Sequence, residues 1–295
     1  AVESWLNMCP PSYNKGDTEV TQTTRTLCSA SLAAMCIFAT QSVMAAPNNP
    51  ANDCAGLPSS AVLEAALKAV VPAAAGGSAS ESNGGLDFPM WATVVNRYGV
   101  VCAVATSGTA ADDAWLNSRV ISAQKAYTAN GFSRPTFALS TANLFTPTQN
   151  GNSLNGLQFS NPVDPRVVYR GNPTKYGTTD DPMLGLKPGG INVFGGGVGL
   201  YSTGGKLGAV GVSGDTSCAD HNIAWKLRHR LATAGFSGVT IANRVPGGVR
   251  SAQVGSSNQP VAASGDDGIM YGNTGFQHAD CGNSEKSVVL PAVTN

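Results

Sequence analysis

Cys218-Ala-Asp-His221 and His278-Ala-Asp-Cys281 are the stretches of this chain whose residue types and spacing point most directly to chemistry. Each sets a cysteine and a histidine three residues apart, and together they hold two of only three histidines. The mirrored order has no structural meaning, because a polypeptide is directional. What matters is that two Cys/His pairs lie far apart in sequence and can meet in space. The four ligands Cys218, His221, His278 and Cys281 suit tetrahedral zinc. An oxidising compartment favours instead a Cys218–Cys281 disulfide, which would pin the C-terminal tail to the helix before it. The bridge would draw His278 towards His221 and create a paired-histidine metal site.

Composition and cysteine placement bear on the compartment. Lys plus Arg and Asp plus Glu are 18 each, so the formal charge is zero, and no clustered basic excess marks a nucleic-acid interface. Charged residues make up only 12%, against roughly a quarter in an average soluble protein. A surface poor in charge and rich in small polar residues fits an exported protein or a large subunit contact. Cys9, Cys28 and Cys36 lie in the first fifty residues, while Cys54, Cys102, Cys218 and Cys281 follow. Residues 1–45 read as a leader with a signal peptide: Arg25 precedes an apolar run from Leu27 to Thr40, and Val43-Met44-Ala45 has small-residue spacing for cleavage before Ala46. Ser29, Ser31, Thr40, Gln41 and Ser42 make the run a poor membrane span. A mature chain would be periplasmic or extracellular. Its four cysteines would form two bridges, with Cys54 and Cys102 paired by elimination.

The elements that must position these groups follow from periodicity. Ser59 or Ser60 caps a helix with Leu63, Ala66, Leu67 and Val70 on one face. Residues 90–108 read as a hairpin turning at Tyr98-Gly99. A long helix follows, with Asp112 or Asp113 near its cap and a stripe of Leu116, Val120, Ala123 and Tyr127. An irregular insert spans 143–188, and then Gly-rich strands from Gly189 to Asp215 make a second hairpin. The last helix buries Ile223, Ala224, Leu227 and Leu231. Hairpins rather than crossovers imply an antiparallel sheet with helices packed on it, an α+β domain over 46–234. Residues 235–295 read as an irregular extension with little apolar sequence to hold it except a disulfide.

The runs "SRVISAQKAYTANGFSRPT" and "GGINVFGGGVGLYSTGGKLGAVGVSGDTSCADHNIAWKLRH" resemble the central helix and the closing strands and helix of the GlcG/HbpS-type haem-binding family, which includes the PduO C-terminal domain. The resemblance covers about Cys54 to Leu231, and the insert resembles that of the longer secreted branch. It implies a five-stranded antiparallel sheet flanked by helices, assembly into homo-oligomers and noncovalent haem or a related tetrapyrrole as ligand. It implies no established catalytic activity in most members. The PduO-type domain ligates haem through a histidine near its first helix, and this chain has no histidine before His221. The iron therefore needs another residue.

Covalent haem would need Cys-x-x-Cys-His, which is absent. Noncovalent haem takes His, Cys, Met or Tyr as axial ligand. His221 is the leading candidate, with Trp225 as an apolar wall and Arg228 as a propionate partner. Tyr127 on the central helix is a further ligand candidate, against core packing, while Arg119, Lys125 and Arg134 are candidate partners for a ligand's acidic groups, against surface cations or subunit-contact salt bridges. His229, at a helix end, reads as structural. "INVFGGGVG" would let a flat ligand approach the backbone. Asp112-Asp113 and Asp180-Asp181 read as caps and turns. Three functions follow: an exported haem carrier, sensor or electron-transfer subunit; an enzyme acting on a small organic molecule or the tetrapyrrole; and a structural subunit of an extracellular assembly.

Overall fold

A computed structural model describes residues 53–246 and 267–293. The expected leader, signal peptide and cleavage site fall on residues 1–46, which lie outside the described residues. Helix α1 (Ser60–Lys68) starts where Ser59 accepts a hydrogen bond from the Val62 amide and buries Leu63, Ala66 and Leu67. Strands β1 (Trp91–Asn96) and β2 (Val101–Thr106) follow. The Asn96 side chain accepts from the amides of Tyr98 and Val100, and Gly99 takes a positive φ. Helix α2 (Asn117–Phe132) comes next, then short helices α3 (Phe145–Thr148) and α4 (Pro165–Val168) within the insert. Strands β3 (Gly197–Ser202) and β4 (Gly205–Ser213) lead into α5 (Ser217–Thr233), capped by Thr216 accepting from Ala219.

The sheet has the order β2-β1-β4-β3, antiparallel throughout. All six residues of β1 are buried, because both faces are covered. Ala92, Val94, Val210 and Val212 pack with Leu63, Leu67, Ile223 and Leu227 beneath α1 and α5. Trp91, Val95, Val104 and Ala209 pack with Val120, Ala123 and Ala126 beneath α2. The approach of α2 to β4 requires glycine: a Cβ on Gly211 would stand 2.1 Å from the Ser122 carbonyl oxygen.

Among the described residues the sheet has four strands, not the five that the family resemblance implied. Irregular chain bonds to part of each edge instead. Val101 and residues 185–186 exchange two backbone hydrogen bonds at the β2 edge. At the β3 edge, Thr141 donates to the Gly197 carbonyl and Ala242 to that of Tyr201. The aspartates behave as turn residues. Asp113 accepts from the Thr109 and Ala110 amides, and Leu116 rather than an aspartate stands at the α2 cap.

The tail is better anchored than its sparse apolar sequence suggested. Cys218–Cys281 forms a disulfide, as does Cys54–Cys102. Ile269, Tyr271, Leu290 and Val293 are also buried. Trp225 donates its indole N–H to the Pro291 carbonyl, and Asn222 donates to that of Glu285. A cross-link spanning 63 residues stabilises by about 4 kcal/mol through loss of unfolded-state entropy. Reduction is therefore expected to accelerate proteolysis of the tail while the sheet persists. Timed digestion of reduced and oxidised protein checks this, and equal cleavage rates would count against it.

Candidate functional site

Two places offer functional geometry. The first is a closed polar cluster between α5, the glycines before β3 and the tail. The sequence builds it by putting Asp220 and His221 early in α5, Lys125 on the face of α2 towards β4, and His278 on the disulfide-pinned tail. Lys125 Nζ lies 2.6 Å from Asp220 Oδ2 and 3.0 Å from the Val212 carbonyl oxygen. The Asp215 amide donates to the other Asp220 oxygen. Burial pushes the Asp220 carboxyl up to about 7, against the pull of Lys125, and burial lowers the Lys125 ammonium.

His221 is fully buried, and neither ring nitrogen has a hydrogen bond of good geometry among the described residues. Burial depresses its pKa to about 3, helped by the charge of Arg228 and opposed by the nearby Asp267 backbone. His278 is buried too, with a pKa lowered by burial to about 4. Its Nε2 accepts from the Gly195 amide at 3.3 Å, and its Nδ1 lies 2.7 Å from the Ala279 carbonyl oxygen. This pattern assigns the ring proton to Nδ1.

The structure places the other sequence candidates as follows. Arg228 forms a buried ion pair with Asp267 and lies 4.4 Å above the Trp225 ring. Arg119 forms a buried ion pair with Asp181 and stacks on Tyr176 at 3.7 Å. These cations, like Lys125, are held by carboxylates of their own chain. Tyr127 is half-buried against the β1–β2 turn, where a Cβ on Gly99 would meet its ring at 2.4 Å. The glycines before β3 admit protein rather than a flat ligand: a Cβ on Gly195 would stand 2.3 Å from the Ser217 carbonyl oxygen. Sequence reasoning missed the counterions Asp220 and Asp267, since no local spacing links them to Lys125 and Arg228.

The second place is an open cavity of about 740 Å³ beside α1. Ser60, Ala61 and Glu64 form one wall, Thr106 and the loop 108–112 another, and Pro173–Thr179 of the insert a third. Its volume falls within the roughly 300–1,000 Å³ usual for cofactor sites. Glu64 is tied to Lys68 at 2.6 Å. The hydrogen bonds of Asp113 brace the 109–113 turn and hold that carboxyl below its ordinary pKa, the Thr109 hydroxyl contributing most. Among the described residues no histidine, cysteine or methionine lines the cavity, and Tyr176 is the one lining side chain of a type that ligates haem iron. The Tyr176 hydroxyl donates to the Arg170 carbonyl at 3.2 Å. Sequence reasoning did not single out Tyr176, which sits in an aperiodic insert.

The two places divide what a tetrapyrrole needs. The cavity has the volume and a single candidate ligand. The closed cluster has imidazoles, but His221 is 0% exposed, so a large ring reaches it only if the tail moves.

Comparison with known proteins agrees with the sequence patterns. The family described as "Haem degrading protein HbpS-like" matches residues 63–227, more than half of the chain. Among solved structures, a PduOC:heme complex is 22% identical, with 49% of this chain and 80% of that chain covered at a TM-score of 0.34. The Klebsiella pneumoniae protein ORFY is 23% identical over 63% and 97%, at a TM-score of 0.36. HbpS is 18% identical over 63% and 97%, at a TM-score of 0.33. No curated protein matches. No helix among the described residues is long and apolar enough to cross a membrane.

Proposed function

The chain belongs to the HbpS-like family of haem degrading proteins, and from that premise we propose that it is an exported protein that binds haem noncovalently in the cavity beside α1. The observation that carries this reading is the cavity itself. It has a cofactor-sized volume, and its walls come mostly from the family-matched span. Leu116, Ala111 and Pro173 supply apolar contact, while Thr109, Thr174 and Thr178 offer hydroxyls. The Tyr176 hydroxyl would face the iron after giving up its bond to the Arg170 carbonyl. Among the described residues no lysine or arginine lines the walls. Haem would bring a redox-active iron, which suits a carrier, a sensor or an electron-transfer subunit. Two disulfides support a periplasmic or extracellular setting. Exposed Trp115 and Leu116, with Phe88 stacked edge-on against Trp115, support self-association.

Haem titration tests the reading. The protein should acquire a Soret band at one haem per chain, and sedimentation of the complex reads its assembly state. Ala61 is exposed on α1 and lines the cavity, so Ala61→Trp should block binding without disturbing the fold. Tyr176→Phe should shift the band. Normal binding by Ala61→Trp would rule out the cavity. A band that changes in His221→Ala but not in Tyr176→Phe would transfer the site to the closed cluster. Turnover of bound haem with a reductant and oxygen would move the assignment to an enzyme acting on the tetrapyrrole.

A further inference from the structure

The disulfide end of the closed cluster brings together more than two sulfurs. The ligating atoms of Cys218, His278 and Cys281 all lie within 4.8 Å of one another. His278 Nδ1 is 3.9 Å from Cys218 Sγ, and the Ser217 hydroxyl is 3.5 Å from Cys281 Sγ. We propose that, once the Cys218–Cys281 bond is reduced, Cys218, His278 and Cys281 bind a thiophilic divalent cation of the zinc type.

The three ligands are positioned by contacts other than the sulfur–sulfur bond. Cys218 is fixed in the first turn of α5. His278 is held by its backbone, which donates to Met270 and accepts from Gly272, and by its ring against Phe145 at 4.8 Å. The Cys281 amide donates to a Glu285 oxygen at 3.0 Å, and the Asn283 amide donates to the other oxygen at 2.9 Å. After reduction these contacts still favour the donors' proximity in the loosened tail, while the sulfurs are free to separate to tetrahedral spacing. Two thiolates and one imidazole form a soft set suited to zinc, and the fourth position falls to water or the Ser217 hydroxyl.

The chemistry balances. A dithiol reductant becomes a cyclic disulfide as the Cys218–Cys281 bond becomes two thiols. Metal binding then releases two thiol protons and leaves two metal–sulfur bonds. His278 must move its proton from Nδ1 to Nε2, which exchanges its bonds to the Ala279 carbonyl and the Gly195 amide for a metal bond. That exchange favours the metal, because each hydrogen bond is worth far less than structural zinc ligation. The closed cluster thus becomes a redox-conditional metal site, with the tail anchored by the disulfide when oxidised and by the cation when reduced.

Cobalt titration of the full chain, reduced with an excess dithiol and then exchanged into buffer without it under anaerobic conditions, reads this directly. The reduced protein should take up one equivalent of cobalt with a thiolate charge-transfer band, and the oxidised protein should show none. His278→Ala, which leaves both cysteines intact, should weaken cobalt binding by more than about 10-fold, since even ligand-supporting partners cost that much. Cysteine alkylation followed by peptide mapping keeps the test decisive if reduction loosens the fold. Zinc should then protect Cys218 and Cys281 but not Cys54 and Cys102. Absence of the band in reduced protein, equal affinity in His278→Ala, or protection shared with Cys54 and Cys102 would each overturn the proposal.

Discussion

An Asp220→Ala variant should lose about 3–5 kcal/mol of folding stability, the cost of stranding one member of a buried ion pair. Lys125 and Asp220 side chains are each 2% exposed. Without the carboxylate, the ammonium keeps only the Val212 carbonyl as a neutral acceptor. Asp220 also accepts from the Asp215 amide, so the same change loosens the turn into α5. The double variant Lys125→Met/Asp220→Leu should recover most of the loss, because apolar pairs of similar volume replace buried ion pairs at little cost. Urea denaturation of the two variants and the parent decides the matter. A single-variant loss below about 1 kcal/mol would mean that water reaches the pair, as it does for surface salt bridges.

The second large effect is a fall in stability on acidification. His221 and His278 have folded pKa values near 3 and 4, below the ordinary 6.5, because both are buried. The unfolded chain protonates first, so their contribution is complete above pH 6.5 and is lost as pH falls towards those values. Asp220 works in the opposite sense. Its folded pKa is raised from 3.8 to about 7, so its contribution is present at low pH and is lost as pH rises through 7. Each group changes stability by about 1.4 kcal/mol per pH unit within its window. Between pH 6.5 and 4 the two histidines outweigh the one aspartate. The net effect is a loss on acidification, on the order of 1 kcal/mol per unit. In His221→Leu the slope should be clearly shallower, since one histidine then opposes one aspartate. Melting temperatures measured across this range check the prediction, and a flat parent profile would refute it.

Sequence by itself determined the elements and the staples. The cap at Ser59, the Leu63/Ala66/Leu67 stripe and the turn at Tyr98-Gly99 are local, and the structure keeps them. The two disulfides were legible because four cysteines lie beyond residue 45, and two of them flank the C-terminal tail. Tertiary structure decided what each charge faces. Arg119, Lys125 and Arg228 read as partners for a ligand's acidic groups. Folding gives them Asp181, Asp220 and Asp267, which lie 62, 95 and 39 residues away. Such pairs leave no local trace, because a buried cation needs any carboxylate in reach and the reach is set by the whole sheet. The sheet edges follow the same logic: irregular chain from 141, 185–186 and 242 bonds to part of β3 and β2, where the family resemblance implied a fifth strand. Tyr176 also comes to the cavity only through the insert, whose path is fixed by the buried Arg119–Asp181 pair and not by any periodicity of its own.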